Sequence, residues 1–152
     1  MNRRVLLMGA AVLTLSACGD SASADEPPKI GYGKDACDRC GMIISDERYA
    51  AAIVPEKGDT LLFDDSGEMI ATAQETGLES RRAWVHDMHS KRWIDATRAS
   101  FVVSETATTP MGTGVVAFQD AGDADTFAGE HDGSVLTWDQ ILRTWKIDPR
   151  MS

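Results

Sequence analysis

The chain has 152 residues with 24 acidic against 15 basic side chains, a formal charge of −9 at neutral pH. So acidic a surface disfavours nucleic acid and anionic lipid as partners. The length suits one compact domain that can bury a core without disulfide staples.

The first residues give an address. Asn2-Arg3-Arg4 is a basic start, and Val5 to Leu15 is an apolar run too short to cross a bilayer, so residues 1–17 read as a secretory signal peptide. Its end, Leu15-Ser16-Ala17-Cys18, resembles a bacterial lipobox, in which the cysteine becomes the lipidated first residue of the mature protein. The order of apolar run, small residues and cysteine favours this over an ordinary cleavage site. Cleavage there removes Arg3 and Arg4 and no acids, taking two positive charges from the −9 total and leaving −11. Residues 18–29 form a polar tether with no apolar face to bury, and the folded part is expected over 30–148. Gly19 after Cys18 gives no support for an inner-membrane retention signal, so the expected place is the periplasm, anchored by lipid to one membrane or the other.

Two strands, Tyr49 to Val54 and Thr60 to Phe63, flank the turn-prone Pro55-Glu56-Lys57-Gly58-Asp59. Asp65, three residues before Glu68, predicts a capping-box-like start for a helix carrying Met69, Ile70 and Ala73, which Gly77 ends. Short β-branched and aromatic pieces follow at Arg82 to His86, Arg92 to Ile94 and Phe101 to Val103. After Thr109-Pro110-Met111-Gly112-Thr113-Gly114 comes a strand at Val115 to Phe118, then a weak helix opened by Asp123 and closed around Gly129. Val135 and Leu136 make one more strand before Thr137 caps a final helix, with Gln140 at its third position and Trp138, Ile141, Leu142 and Trp145 on one face. The pattern predicts an α+β fold of two similar ββαβ-like units, over about 30–106 and 107–148.

With Cys18 taken as the anchor, Cys37 and Cys40 are the thiols left. Their Cys-x-x-Cys spacing admits a disulfide, favoured by an oxidising compartment. It also admits a catalytic dithiol, although Gly41 follows directly and no amphipathic helix begins there. It could be half of a zinc site, for which a second pair of cysteines is missing. Met42 belongs to none of these. A thioether needs no deprotonation and suits Cu(I) far better than zinc or calcium, while taken alone Met42 reads as a core side chain beside Ile43 and Ile44. Met111 sits where proline and glycine fix a loop, which fits a ligand as well as a plug under a turn. His86 could offer an imidazole, with Met88 and His89 nearby, or be a satisfied histidine at a strand end. His131 reads as a turn residue, Met69 as core, and Asp64 and Asp65 as helix-start acids. No phosphate-cradling Gly-rich Lys loop and no Gly-x-Ser-x-Gly elbow occurs, and nothing in the sequence requires an enzyme.

Taken together, the lipobox at Cys18, Cys37-x-x-Cys40-Gly41-Met42, Phe63-Asp64-Asp65, Trp84-Val85-His86-Asp87, Trp93-Ile94-Asp95-Ala96 and Thr109-Pro110-Met111-Gly112 resemble the NosL-type lipoproteins associated with maturation of nitrous oxide reductase. The resemblance runs in order through most of the mature chain. It implies two small α+β units and a periplasmic, membrane-tethered chaperone that binds Cu(I) and delivers it to the reductase or its membrane-associated maturation machinery. It also implies Cys40, Met42 and Met111 as copper ligands, with Cys37 and then His86 as further candidates. A thiol–disulfide oxidoreductase using Cys37 and Cys40, and a structural lipoprotein with a local disulfide, are the alternatives.

Overall fold

The computed structural model describes residues 25–56, 58–77 and 81–151. The signal peptide, Cys18 and the tether as far as Ala24 lie outside these residues. None of the described helices is long and apolar enough to cross a membrane.

The first sheet contains β1 (Ala51–Pro55), β2 (Leu61–Phe63), β3 (Arg81–His86) and β4 (Trp93–Asp95), in the order β2-β1-β3-β4 with every pair antiparallel. Helix α1 (Ser66–Thr76) lies in the chain between β2 and β3. The second sheet contains β5 (Ser100–Val103), β6 (Val115–Phe118) and β7 (Ser134–Thr137), in the antiparallel order β6-β5-β7, with α2 (Ala121–Glu130) between β6 and β7. A last helix, α3 (Trp138–Thr144), follows β7 directly. The same plan occurs twice. Each unit puts its first strand in the middle, its second and third strands on the flanks, and a helix between those two. The ββαβ expectation is therefore met, with β4 and α3 as additions.

The division between the units differs from the expected one at 106/107. Phe101-Val102-Val103, grouped with the first unit in the sequence reading, forms the central strand of the second sheet, pairing with β6 on one side and β7 on the other. A four-residue strand carries no signal of which sheet it will join, because its partners lie 12 to 37 residues further along the chain.

Local chemistry explains the helix ends. Asp65 is the N-cap of α1 and accepts from the Gly67 N–H at 2.8 Å, and Gly77, at φ +70°, closes it in a conformation few other residues adopt. Helix α2 starts two residues earlier than the Asp123 expectation, because Asp120 caps it, accepting from the N–H groups of Gly122 and Asp123. The capping box of Thr137 and Gln140 is present at α3.

The two units share one core. Ile53, Phe63, Met69 and Val85 from the first pack in the same cluster as Phe101, Val115, Ala117, Trp138 and Ile141 from the second. Helix α1 joins them, packing on β1 and β2 of its own sheet and on β6 and α3 of the other. This position buries nearly all of its first two turns, Ser66 to Ala71, and not merely one apolar stripe. A charged residue there, Glu68, has to find its partner inside the protein.

Candidate metal centre

The segment before β1 folds as a small closed loop. An isolated bridge pairs Ala36 with Ile43, the Cys37 N–H donates to the Met42 carbonyl at 2.8 Å, and the Gly41 N–H donates to the Cys37 carbonyl at 2.9 Å. Gly41 turns the chain at φ +75°, a left-handed conformation that favours glycine. The two residues between the cysteines fasten this loop to the body. Asp38 exchanges hydrogen bonds with Leu62 of β2, accepting its N–H at 2.6 Å and donating its own to the Leu62 carbonyl at 2.8 Å. Arg39 forks onto Glu75 of α1 through two 2.9 Å bonds and reaches Thr72 at 3.2 Å.

Held in this way, both thiols face the start of α1. Cys37 is buried and donates from Sγ to Glu68 Oε2 at 3.1 Å. Cys40 is half-buried and its Sγ lies 3.6 Å from Asp64 Oδ1. Ligand atoms of Cys37, Cys40, Asp64 and Glu68 all lie within 4.8 Å of one another. Cys37 and Cys40 are free thiols, not a disulfide.

Burial controls the electrostatics. Loss of water pushes the Glu68 carboxyl from its ordinary 4.5 up to about 7, and a hydrogen bond with Asp64 pushes the same way, against the thiols, which pull it down. Burial raises the Cys37 thiol too, opposed by the N–H groups of Cys40, Asp64 and Arg39. Cys40 is pushed well above its usual range by burial, with Cys37 and Glu68 adding to the effect against the Met42 N–H. Both cysteines are therefore neutral thiols at neutral pH, and a metal that takes them must displace their protons.

Met42, two residues after Cys40 in the same loop, has 57 % of its surface exposed, beside Ile43 at 50 %. The core reading of both is overturned, because the closed loop turns its tip to solvent while Ile44, one residue on, is fully buried. Met111 is half-buried in a loop tied to α1 through a single carboxylate. Asp65 Oδ2 accepts the Met111 N–H at 3.1 Å and the Thr109 hydroxyl at 2.7 Å, and Oδ1 accepts the Thr113 hydroxyl. Gly67 lets that loop come close: a Cβ there would lie 2.4 Å from Thr113 Oγ1. The residues that orient the Met111 loop and the Cys40 thiol, Asp65 and Asp64, are thus neighbours in the chain.

His86 stands outside the four-residue group. Its ring is buried at the end of β3, 3.7 Å between centroids from Trp93. A carbonyl can only accept, so Nδ1 carries the proton it gives to Ala50 O at 2.8 Å, and Nε2 accepts the Tyr32 hydroxyl at 3.2 Å. Burial lowers its pKa, which keeps the ring neutral in this role. Met69 is core, His89 pairs with Asp123 on the surface, and His131 stacks on Phe127.

The sequence reading missed Asp64 and Glu68. It assigned both aspartates to the helix start and Glu68 to a capping box, but only Asp65 caps, and Glu68 turns to Cys37. The available signal was a glutamate next to Met69 and Ile70 on a helix short enough to be buried almost all round.

A dithiol and two buried carboxylates on a duplicated α+β frame define a small protein with a metal-ligand composition at one centre. The chain belongs to the NosL family, whose model matches residues 31–145. It is 31% identical over 139 residues to the copper-binding lipoprotein NosL of Stutzerimonas stutzeri, covering 84% of this chain and 73% of that one. Its fold is similar to the crystal structure of the copper chaperone NosL from Shewanella denitrificans, with a TM-score of 0.65 at 22% identity over 77% of this chain and 98% of the other.

Proposed function

We propose that this protein is a periplasmic, lipid-anchored copper chaperone that holds Cu(I) through Cys37, Cys40 and the thioethers of Met42 and Met111, and delivers it to the assembly of the copper centres of nitrous oxide reductase. The observation that carries the reading is the meeting of two thiols on a fastened loop whose exposed tip is a methionine. The names of the Stutzerimonas and Shewanella relatives support copper as the cargo. Thiolate and thioether donors match a soft monovalent ion.

Exposure sets a direction for transfer. Cys37 is buried, Cys40 is half-buried and Met42 is open. A partner's ligand reaches the ion from the Met42 side, and the ion leaves thioether first and Cys37 last, never passing through free solution. Each thiolate regains a proton as the ion leaves. The role is that of a binding and transfer protein, not an enzyme.

Thiol–disulfide catalysis fits the same cysteines less well. An attacking cysteine needs a lowered pKa, from a helix N-terminus or a nearby cation. Here burial raises both thiols, and their neighbours are carboxylates.

The deciding experiment titrates reduced mature protein with Cu(I) against a competing chelator, then mixes the loaded protein with copper-free reductase. Tight binding followed by appearance of the copper-centre absorption in the reductase supports the reading. No binding sinks the chaperone function, and binding without transfer sinks the recipient.

A further inference from the structure

Before it enters the cysteine loop, the chain crosses the first sheet and is held at both ends of the crossing. At one end Arg82 of β3 pairs with Asp25 at 2.7 Å and with Asp95 of β4 at 3.0 Å. At the other, the Tyr32 hydroxyl donates to His86 Nε2 at 3.2 Å. Arg82, Trp84 and His86 alternate along β3 and share one face of it, while Ala83 and Val85 between them point into the core. Residues 25–32 therefore lie as a strap along the outer face of this sheet. Pro28 is buried within the strap, and Ala52 and Val54, the outer-face positions of β1 beside Trp84 and Arg82, are at most 1% exposed.

The strap begins far from the metal centre. Arg82 pairs with Val54, where β1 leaves the sheet, whereas Phe63, which leads into Asp64 and α1, pairs with Ala51 at the other end. The cysteine loop is fastened to the β2 edge, and Asp25 sits over β3 and β4. Three residues along the strands and two strands across put the Arg82 and Phe63 Cα atoms about 14 Å apart, before the thickness of the sheet is added.

We propose that the strap and a short tether together set the orientation of the anchored protein: the lipid at Cys18 holds the Arg82 end toward the bilayer, and the Met42–Ile43 tip points away from it, to a copper-exchanging partner in the aqueous phase. Asp25 follows Cys18 by seven positions, and seven residues span at most about 25 Å. A compact body of about 120 residues is roughly 35 Å across, so half its circumference is about 55 Å, twice what the tether can pass round. The negative charge of the mature chain gives its surface no attraction to anionic lipid that would turn it over. The exposed apolar surface of Met42 and Ile43 is then a contact for a water-soluble protein or domain, not a wedge into lipid. The inference rests on the readings of Cys18 as the lipidated residue and of Met42 as the side from which copper leaves.

Full-length lipidated protein in phosphatidylcholine vesicles, with a nitroxide on part of the lipid headgroups, tests the orientation. A fluorescent unnatural amino acid, which leaves the thiols alone, replaces one residue at a time: Glu56, exposed just beyond β1 at the Arg82 end, or Ile43 on the tip. The expected result is strong quenching at Glu56 and several-fold weaker quenching at Ile43. Inserting about 20 Gly-Ser residues after Ser23 lengthens the reach to roughly 90 Å and should remove most of the difference. Circular dichroism of each variant confirms that it is folded. Equal quenching at the two positions with the natural tether overturns the orientation, and stronger quenching at Ile43 does so by making the tip a lipid contact. A difference that survives the long tether overturns the role of the tether. Failure of the protein to float with the vesicles overturns the anchor reading and the inference with it. Cu(I) titration of the same vesicles is read separately: absence of binding overturns the copper-exchanging partner, whatever the quenching shows.

Discussion

The Cys37 thiol and the Glu68 carboxylate, 31 positions apart in the chain, meet in the protein interior at 3.1 Å. Glu68 rises to about 7 in this environment, and its protonated form is the one the fold favours. A carboxyl whose pKa is raised by folding contributes stability that is complete below its unfolded value of 4.5 and is lost as the pH rises through 7. The metal-free protein should therefore lose stability between these values, by up to about 3 kcal/mol. Glu68→Gln, which keeps the shape and cannot ionise, should flatten the profile in that window. Chemical denaturation at half-unit pH intervals checks this, and parallel profiles for the two proteins would show that Glu68 is not the group responsible. Asp46, Asp87 and Asp95 are shifted downward, so their contribution is lost at more acid pH and does not imitate the effect.

Copper affinity should rank the ligands by kind. Cys40→Ala removes a thiolate and should weaken Cu(I) by more than about 100-fold, while Met42→Ala and Met111→Ala remove neutral thioethers and should cost about tenfold each. Because both thiols are protonated before copper arrives, affinity should fall with acid by about tenfold per pH unit for each proton displaced. Competition titrations at three pH values measure the slope. A flat response would mean that no thiol gives up its proton on binding, and wild-type affinity in all three variants would remove these residues from the copper site.

Much of this could be read before any coordinates were known, and the parts that could not share a cause. The helix caps at Asp65, Gly77 and Thr137 were legible because capping is local: donor, acceptor and turn all lie within four residues. The Cys-x-x-Cys-Gly-Met segment was legible as a metal-binding candidate because its chemistry is contiguous. Glu68 was not, because its role depends on a thiol 31 positions earlier and on burial of the first two turns of its helix between two sheets. The same limit misassigned β5, whose membership of the second sheet is decided by partners later in the chain. His86 offers a donor type that fits a metal, but its two ring nitrogens are used by Ala50 and Tyr32, neither of which is visible as a neighbour in sequence.

Arg39 tests whether the thiols need a fixed loop. Its fork onto Glu75 joins a side chain that is 15% exposed to one that is 58% exposed, and pairs this open contribute under about 1 kcal/mol. Arg39→Lys keeps the charge and loses the paired geometry. The expected outcome is a small change in stability with a faster release of Cu(I), read by stopped-flow transfer to a chelator. An unchanged release rate would assign the positioning of the cysteines to Asp38 and the Gly41 turn alone.

Gly67 is the point where the Met111 loop approaches the centre, and its replacement separates the loop from the dithiol. A Cβ at this position would fall 2.4 Å from Thr113 Oγ1 and 2.5 Å from Thr113 Cβ, distances that force movement. The obstacle cannot simply rotate away, because the Thr113 hydroxyl is held on Asp65, which also binds Thr109 and the Met111 N–H. Gly67→Ala gains some helix propensity, but overpacking at a tight contact costs about 1–3 kcal/mol, so the net effect should be destabilising. The displaced loop carries Met111 with it, while Cys37 and Cys40 stay on a loop fastened elsewhere, to Leu62 and Glu75. The variant should therefore match Met111→Ala in Cu(I) affinity, read by competition against a chelator. If Gly67→Ala instead abolishes Cu(I) binding altogether, the start of α1 holds the whole centre as one unit. If copper affinity is untouched while Met111→Ala weakens it, the loop tolerates the shift and Gly67 serves packing alone.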